Sequence, residues 1–537
     1  MKKNTALSYG LLSLAMIIAV PLLARAGTWQ PLNNQPPMPD ITDPQTGVFL
    51  CEGGAEFPML LTDGSVIVRN LNSQQLHANG SVLKLTPDVN GSYLNGSWSE
   101  IASMPYIPVW NAQAVLADGR VIIEGGEFTG VNEDFTLTNQ GAIYDPVTDS
   151  WTSVPPPPFF VDLYPPRAVF APNPIGDASS VVLADGTFML QDKMSRQAAL
   201  LNLTTMTWTE TGTATKSDLN DEEGWTLLPN GKVLTVDCYT DFIFGLIPHY
   251  PAHPTNSELY DPQTGSWSSA GSTINTLTDR KVAEMGPAVL RPDGTVFAVG
   301  SQGFTSIYHT DAGAWSVGPT LPESLDGSRM TAQDAPGALV PNGNVLIAAT
   351  GGPKPPQSPF SGPPVYFFEF DGANVIPEPA IPNAAVDSSF NINLLVLPTG
   401  EILATDGSKD IEIYTANDTT HNSNWEPVIT SAPSTVSPGG SYTITGMRFN
   451  GMSQASMYGD EAQNATNYPL VRITNLATNH VFYSRTHDHS SMAVASSAVV
   501  STHFDVPQTQ ETGLSTLEVV ANGIASAPVS VLVTNGP

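Results

Sequence analysis

The chain has 537 residues, with 20 Lys+Arg against 50 Asp+Glu for a formal charge of −30. That balance excludes nucleic acid as a partner, because a phosphate backbone needs a basic face. Two cysteines exclude a disulfide framework, and 45 glycines with 47 prolines and few charges point to many turns between short strands around a large apolar core.

The N-terminus carries Lys2 and Lys3, then an apolar run from Leu11 to Leu23, then Ala24-Arg25-Ala26. This order matches a cleaved secretory signal spanning residues 1–26. The run is shorter than the ~20 apolar residues a bilayer needs and is interrupted by Pro21, so a retained single-span anchor is the lesser reading. The mature chain is then expected to be secreted or periplasmic, without membrane insertion after cleavage, and a monomer. In an oxidising compartment Cys51 and Cys238 can form one disulfide, the alternative being two buried thiols.

One pattern then recurs seven times: an apolar strand, a turn ending in glycine, and a β-branched strand. The turns are LLTDG (60–64), VLADG (115–119), VLADG (182–186), LLPNG (227–231), VLRPDG (289–294), LVPNG (339–343) and VLPTG (396–400). Asp-Gly and Asn-Gly supply the positive φ that a tight hairpin needs. A second pattern follows most of these hairpins, a strand ending in tyrosine, a turn rich in Asp, Pro, Thr and Gly, and a strand opening on tryptophan. It ends at Trp151, Trp208, Trp267, Trp315 and, more loosely, Trp425. Four antiparallel strands per unit, with turn glycines 45 to 67 residues apart, predict an all-β, seven-bladed kelch-type β-propeller over residues 27–426. The strand at Trp29 has no preceding hairpin and is expected to complete the last blade and close the ring. From residue 427 the repeat gives way to short alternating strands, read as an immunoglobulin-like β-sandwich over 427–537.

A kelch propeller followed by such a sandwich resembles the galactose oxidase and glyoxal oxidase family over nearly the whole mature chain. In PLVRITNLATNHVFYSRTHDH the Thr486-His487 pair is similar to the family's copper-binding Thr-His, which implies that His487 reaches the propeller axis. The family's remaining copper residues are replaced: Phe390 and Asn391 stand where a Tyr-His pair is expected, Trp110 where the cross-linked tyrosine is expected, and Ala55 where its cysteine is expected. The resemblance therefore implies the scaffold and argues against copper-radical oxidation. Tyr308-His309 lies in an outer-strand motif and is expected far from the axis.

Residues eight to ten before each turn glycine should converge on one mouth of the ring. They are Glu56, Trp110, Asn111, Asp177, Asp221, Glu222, Glu223, Glu284, Asp334 and Asn391. Carboxylates converging from five blades repel one another unless a cation, a proton or hydrogen-bond donors compensate. If the loop carrying His487, Asp488 and His489 dips toward them, a divalent ion is favoured: calcium or magnesium from the carboxylates, zinc or manganese from added imidazole. Calcium is the first expectation; copper is not expected. Taken singly, each acid can equally serve as a cap for loop N–H groups. The insert at residues 238–256, with His249 and His253, is expected to decorate one face.

Three functions remain open. The first is a binding module for a carbohydrate or other small polar ligand at the mouth. The second is a carbohydrate-active enzyme there, either a metal-dependent hydrolase or lyase using Glu222, Glu223, Asp177 and His487, or an oxidase with a rebuilt copper site. The third is a matrix scaffold.

Overall fold

A computed structural model describes residues 26–536, apart from 76, 133, 161–172, 239–240, 244–246, 250–254, 279–283, 325–326, 328 and 353–361. The signal segment and His253 lie outside the described residues. No helix among the described residues is long and apolar enough to cross a membrane. The described helices are two single 3-10 turns, Ser389–Asn391 and Ser423–Trp425.

Each turn glycine closes the innermost hairpin of a blade, and all seven have φ between 77° and 90°. Only glycine adopts that region without strain. Blade 1 is Ala55–Leu60, Val66–Asn72, His77–Thr86 and Ser97–Ile101. Blade 2 is Ala112–Val115, Val121–Glu124, Gly141–Asp145 and Ser150–Val154. Blade 3 is Ser180–Val182, Phe188–Gln191, Ala198–Asn202 and Thr207–Thr211. Blade 4 is Thr226–Leu227, Val233–Val236, Asn256–Asp261 and Ser266–Ser272. Blade 5 is Met285–Leu290, Thr295–Gly300, Thr305–His309 and Ala314–Val317. Blade 6 is Gly337–Leu339, Val345–Gly351, Gly362–Phe370 and Val375–Glu378.

Blade 7 takes Asn393–Val396, Ile402–Thr405 and Glu412–Thr415 from the end of the repeat, and its outer strand, Thr28–Pro31, from the beginning of the chain. The closure expected from Trp29 is therefore present. Trp29 lies opposite Tyr414, in the register of Trp151 opposite Tyr144, Trp267 opposite Tyr260 and Trp315 opposite Tyr308. Trp425 does not join a blade; it belongs to the 3-10 turn after blade 7.

Outer-strand tryptophans also join blades. Indole N–H groups of Trp29, Trp98, Trp151 and Trp208 donate to the carbonyls of Pro379, Asn34, Ala102 and Pro155 at 2.7–2.8 Å. Each acceptor lies just beyond the outer strand of the preceding blade. The indole, opposite tyrosine in blades 7 and 2 and opposite leucine in blades 1 and 3, thus fills the outer edge of one blade while its polar atom satisfies the chain leaving the last.

Beyond the ring, strands between Val428 and Val533 form a second unit with its own apolar core, including Ile444, Ile473, Phe504 and Val519. Strand Val481–His487 joins its two layers. Its first half pairs with Leu470–Asn475 and its second half with Val499–Asp505. One strand of this unit, Ser456–Met457, leaves it altogether and pairs with the innermost strand of blade 6.

Candidate functional site

The segment between Met447 and Leu470 enters the hub of the ring. Gln454 Oε1 accepts from Leu227 N–H of blade 4 at 2.7 Å, and Ala455 O accepts from Leu339 N–H of blade 6 at 2.8 Å. Asn464 accepts from Gln113 of blade 2 at 2.7 Å and donates to Leu394 O of blade 7 at 3.1 Å. These polar side chains satisfy backbone groups that the innermost strands leave unpaired at the axis. Fit at the tip is tight, since a Cβ on Gly224 would collide with the Gly459 carbonyl. The tip, Tyr458-Gly459-Asp460-Glu461, thereby arrives among the acids that precede the innermost strands.

There Lys193, 8% exposed at its side chain, is ringed by carboxylates. Its Nζ pairs with Asp177 at very short range, with Glu222 Oε1 at 2.7 Å and with Asp221 Oδ1 at 3.1 Å. Glu222 in turn shares a hydrogen bond with Asp460. Glu127, Glu284, Asp334 and Glu461 stand close enough to couple electrostatically with this group. Among the described residues, eight carboxyls thus gather around one ammonium, three of them paired with it. Three residues at the same place in their blades, nine before the turn glycine, have left-handed backbones: Trp110 (φ 47°), Glu222 (φ 59°) and Asp334 (φ 43°). A non-glycine residue held there costs about 1–3 kcal/mol, and such strain concentrates at binding and catalytic sites.

Burial dominates the acid–base behaviour. It raises the Asp177 carboxyl to about 6 against the pull of Lys193, and the Glu222 carboxyl to about 7 with help from Asp460. Asp221, Glu284, Asp334 and Glu461 are also pushed well above the usual carboxylate range, first by desolvation and also by their acidic neighbours, at Asp221 against the pull of Lys193. The raised values mean that the site holds protons unless a cation replaces them. One oxygen from each of Asp177, Glu222 and Asp460 can meet within 4.8 Å, a spacing a cation can bridge. Asp177 Oδ1 and Asp460 Oδ2 are buried there without a hydrogen-bond partner among the described residues.

Of the residues read from the turn-glycine register, the structure brings Asp177, Asp221, Glu222, Glu284 and Asp334 together. Glu223 points the other way, into a fully buried group where Lys216 pairs with Asp218, with Glu223 at 2.9 Å and with Glu258 at 2.8 Å. It also accepts from the Thr235 hydroxyl, so its carboxylate is committed to blade packing rather than to the mouth. Glu56 accepts from Ser73 N–H at 3.3 Å and packs on Gly407, at the seam of blades 7 and 1. Asn391 reaches the same seam through Ser73 Oγ at 2.8 Å, and Asn111 donates to Ala112 O at 2.8 Å.

The expectation for His487, Asp488 and His489 is corrected. Thr486 O packs on Gly119, and His489 N–H donates to Ala117 O at 2.8 Å, so this loop lies on the hairpin turns of blades 2 and 3, at the opposite end of the innermost strands from the acids. His489 is buried, bonded to Thr502 Oγ1 at 2.8 Å, and burial lowers its basicity to about 3. Cys51 and Cys238 are not joined. Cys51 is in a hairpin that packs beside blade 1, while Cys238 follows the second strand of blade 4 and donates its Sγ–H to Glu222 O at 3.1 Å, so nearly half the ring separates them.

Lys193, Glu127, Asp460 and Glu461 were not found from the sequence. Lys193 and Glu127 follow the second strands of blades 3 and 2, outside the register counted from the turns. Asp460 and Glu461 sit in NGMSQASMYGDEAQNATNYPL, whose length without strand alternation and whose wealth of Asn, Gln and Ser were the available signal.

Beside the acids, Trp110 meets Phe128 at 5.4 Å and Phe390 at 6.3 Å, both edge to face and all partly exposed. Tyr458 links this aromatic shelf to the acids, bonding Phe390 O at 2.7 Å. The family's copper does not fit this donor set. Among the described residues the mouth offers carboxylates, one ammonium and one buried phenol, with no imidazole, and indole and phenyl rings cannot ligate copper.

No family model matches the chain. Over 140 residues it is 29% identical to the Kelch-like protein terF of Aspergillus terreus, a stretch covering 26% of this chain and only 26% of that relative. Among solved structures, it is similar to a fungal alcohol oxidase of the AA5 family in complex with copper, at 16% identity and TM-score 0.47, over 95% of this chain and 100% of the other. It is also similar to YjhT, at 12% identity and TM-score 0.36, over 64% of this chain and 99% of the other. With seven four-stranded blades closed by the N-terminal strand, the chain is a seven-bladed β-propeller, similar over part of its sequence to a Kelch-like protein.

Proposed function

We propose that this chain is a secreted, galactose-oxidase-like kelch propeller that binds a carbohydrate at its acidic mouth through a divalent cation, without copper-radical chemistry. The reading takes residues 427–537 as an immunoglobulin-like sandwich that contributes the hub segment, and residues 1–26 as the export signal. The observation that carries it is that Asp177 and Asp460, each with a buried oxygen lacking a hydrogen-bond partner among the described residues, group with Glu222 at a spacing a cation can bridge. An all-oxygen donor set favours calcium. The aromatic shelf at Trp110, Phe128 and Phe390 supplies the stacking face that a sugar ring uses, and the strained backbones at Trp110, Glu222 and Asp334 are in keeping with a binding role.

The test is calcium titration of the chelator-treated full chain by calorimetry, followed by a glycan array with and without calcium. One calcium per chain is expected, weakened at least ~10-fold by Glu222→Gln or Asp460→Asn, with calcium-dependent retention of an unconsumed glycan. Absence of both calcium binding and glycan retention would sink the reading.

A second reading, a hydrolase or lyase at the same mouth, is favoured by Glu222 at about 7 beside Asp177 at about 6, the range of a general acid–base pair. Product release from a retained glycan, lost in Glu222→Gln, selects it. Copper content with peroxide production would overturn both.

A further inference from the structure

Away from the mouth, strands Val481–His487 and Val499–Asp505 pair so that His487 lies directly opposite His503. Cross-strand partners share a face, and the two imidazoles stack with centroids 5.6 Å apart at 23°. The next residue, Asp488, adopts φ 51°, and its carboxylate sits beside both rings. Asp488 Oδ2 is 2.8 Å from His487 Nδ1 and 3.9 Å from His503 Nδ1. Ligand atoms around a tetrahedral zinc, with bonds of ~2.0–2.1 Å, lie roughly 3.3 Å apart. The observed separations straddle that value, and one donor atom from each of the three residues fits within 4.8 Å.

We infer that His487, His503 and Asp488 form a site for a divalent transition metal of the zinc class. The inference is independent of any activity at the mouth. Two imidazoles with one carboxylate suit zinc, nickel or copper(II) better than calcium or magnesium. Support behind the ligands has the form such sites use. With Nδ1 on the metal, His487 Nε2–H faces Asp505 Oδ1 at 3.3 Å, and Asp505 is held in turn by Arg485 at 3.4 Å. A carboxylate behind a ligating imidazole fixes its tautomer and orientation. His503 and Asp488 are 48% and 61% exposed at their side chains, so a fourth coordination position is open to water or an anionic ligand. Asp488 also lines an open cleft of about 500 Å³ with Asp118 and Asp185, from the hairpin turns of blades 2 and 3, so the metal would sit where the C-terminal unit meets the ring.

The experiment is titration of the chelator-treated full chain with zinc chloride by calorimetry, and with cobalt(II) by visible absorption to report tetrahedral geometry. One zinc per chain is expected, weakened more than ~10-fold by His503→Ala and by His487→Ala, and about 10-fold by Asp505→Asn. His503 is exposed, so His503→Ala tests the site without disturbing the fold. Binding is expected to be unchanged in Glu222→Gln and Asp460→Asn, which separates this site from the mouth. Absence of zinc binding, binding that survives His503→Ala, or binding abolished by Asp460→Asn would each overturn the inference.

Discussion

Glu222 and Glu223 are neighbours with opposite fates. The left-handed backbone at Glu222 sends its side chain to Lys193, and Glu223 turns back to Lys216. Each lysine is a buried internal counter-ion, yet the two sit in different surroundings: the Lys216 group is closed, and the Lys193 group faces the mouth. Removing one partner of a buried ion pair costs about 3–5 kcal/mol because the other charge is left uncompensated. Lys193→Met is therefore expected to lower the melting temperature of calcium-free protein while tightening calcium binding, since the cluster loses its competing cation. Calorimetry on the variant checks both, and weaker calcium binding would refute the counter-ion role. The acids of blades 3 to 6 could be read from the sequence because the turn glycine fixes their register. Lys193 and Asp460 could not, because no turn sets where a lysine after a second strand, or an acid in a remote loop, will point.

At the level of elements, the hairpin turns and the aromatic–Trp pairs were legible because each is a local pattern with a local cause: positive φ at the turn, cross-strand stacking at the edge. The hub segment was not, since its polar residues are buried only once seven inner strands exist to receive them. The loop at His487 was misjudged for the same reason; the resemblance that pointed to it is a local one, and the path of the chain is decided by Met447–Leu470. Closure rests on Trp29, which packs 5.0 Å from both Phe367 and Tyr414 and bonds Pro379. Trp29→Ala is expected to cost about 2–3 kcal/mol, at the low end for a large aromatic because the residue is half-exposed. Hydrogen exchange should then rise first in Glu412–Thr415, the strand left at an open edge. Unchanged protection there would show that the ring is held by other contacts.

Over the whole molecule, surplus acid gives stability a definite pH dependence. Burial raises Asp177 to about 6, Glu222 and Asp237 to about 7, and Asp387 and Glu412 to about 8. In the unfolded chain these groups titrate near ~4. Between roughly pH 4 and 8 the folded chain therefore binds more protons than the unfolded one, and stability falls as pH rises through that window. Melting of calcium-free protein is expected at a higher temperature at pH 5 than at pH 8. Calcium should narrow the gap from the alkaline side, because it replaces protons on Asp177 and Glu222. A melting temperature that climbs from pH 5 to pH 8 in chelator would contradict the assignment.

The threading of the hub also orders events in the life of the chain. The strand that closes the ring is synthesised before the blades and the segment that fills its centre after them, so a nascent chain that ends before Gln454 carries every blade but no completed mouth. In it the N–H groups of Leu227 and Leu339 still await their partners at Gln454 and Ala455. A protease that removed the C-terminal unit would take Asp460 with it. The ring's outer stacking pairs would remain, and the truncated product would be a propeller with its axis unfilled.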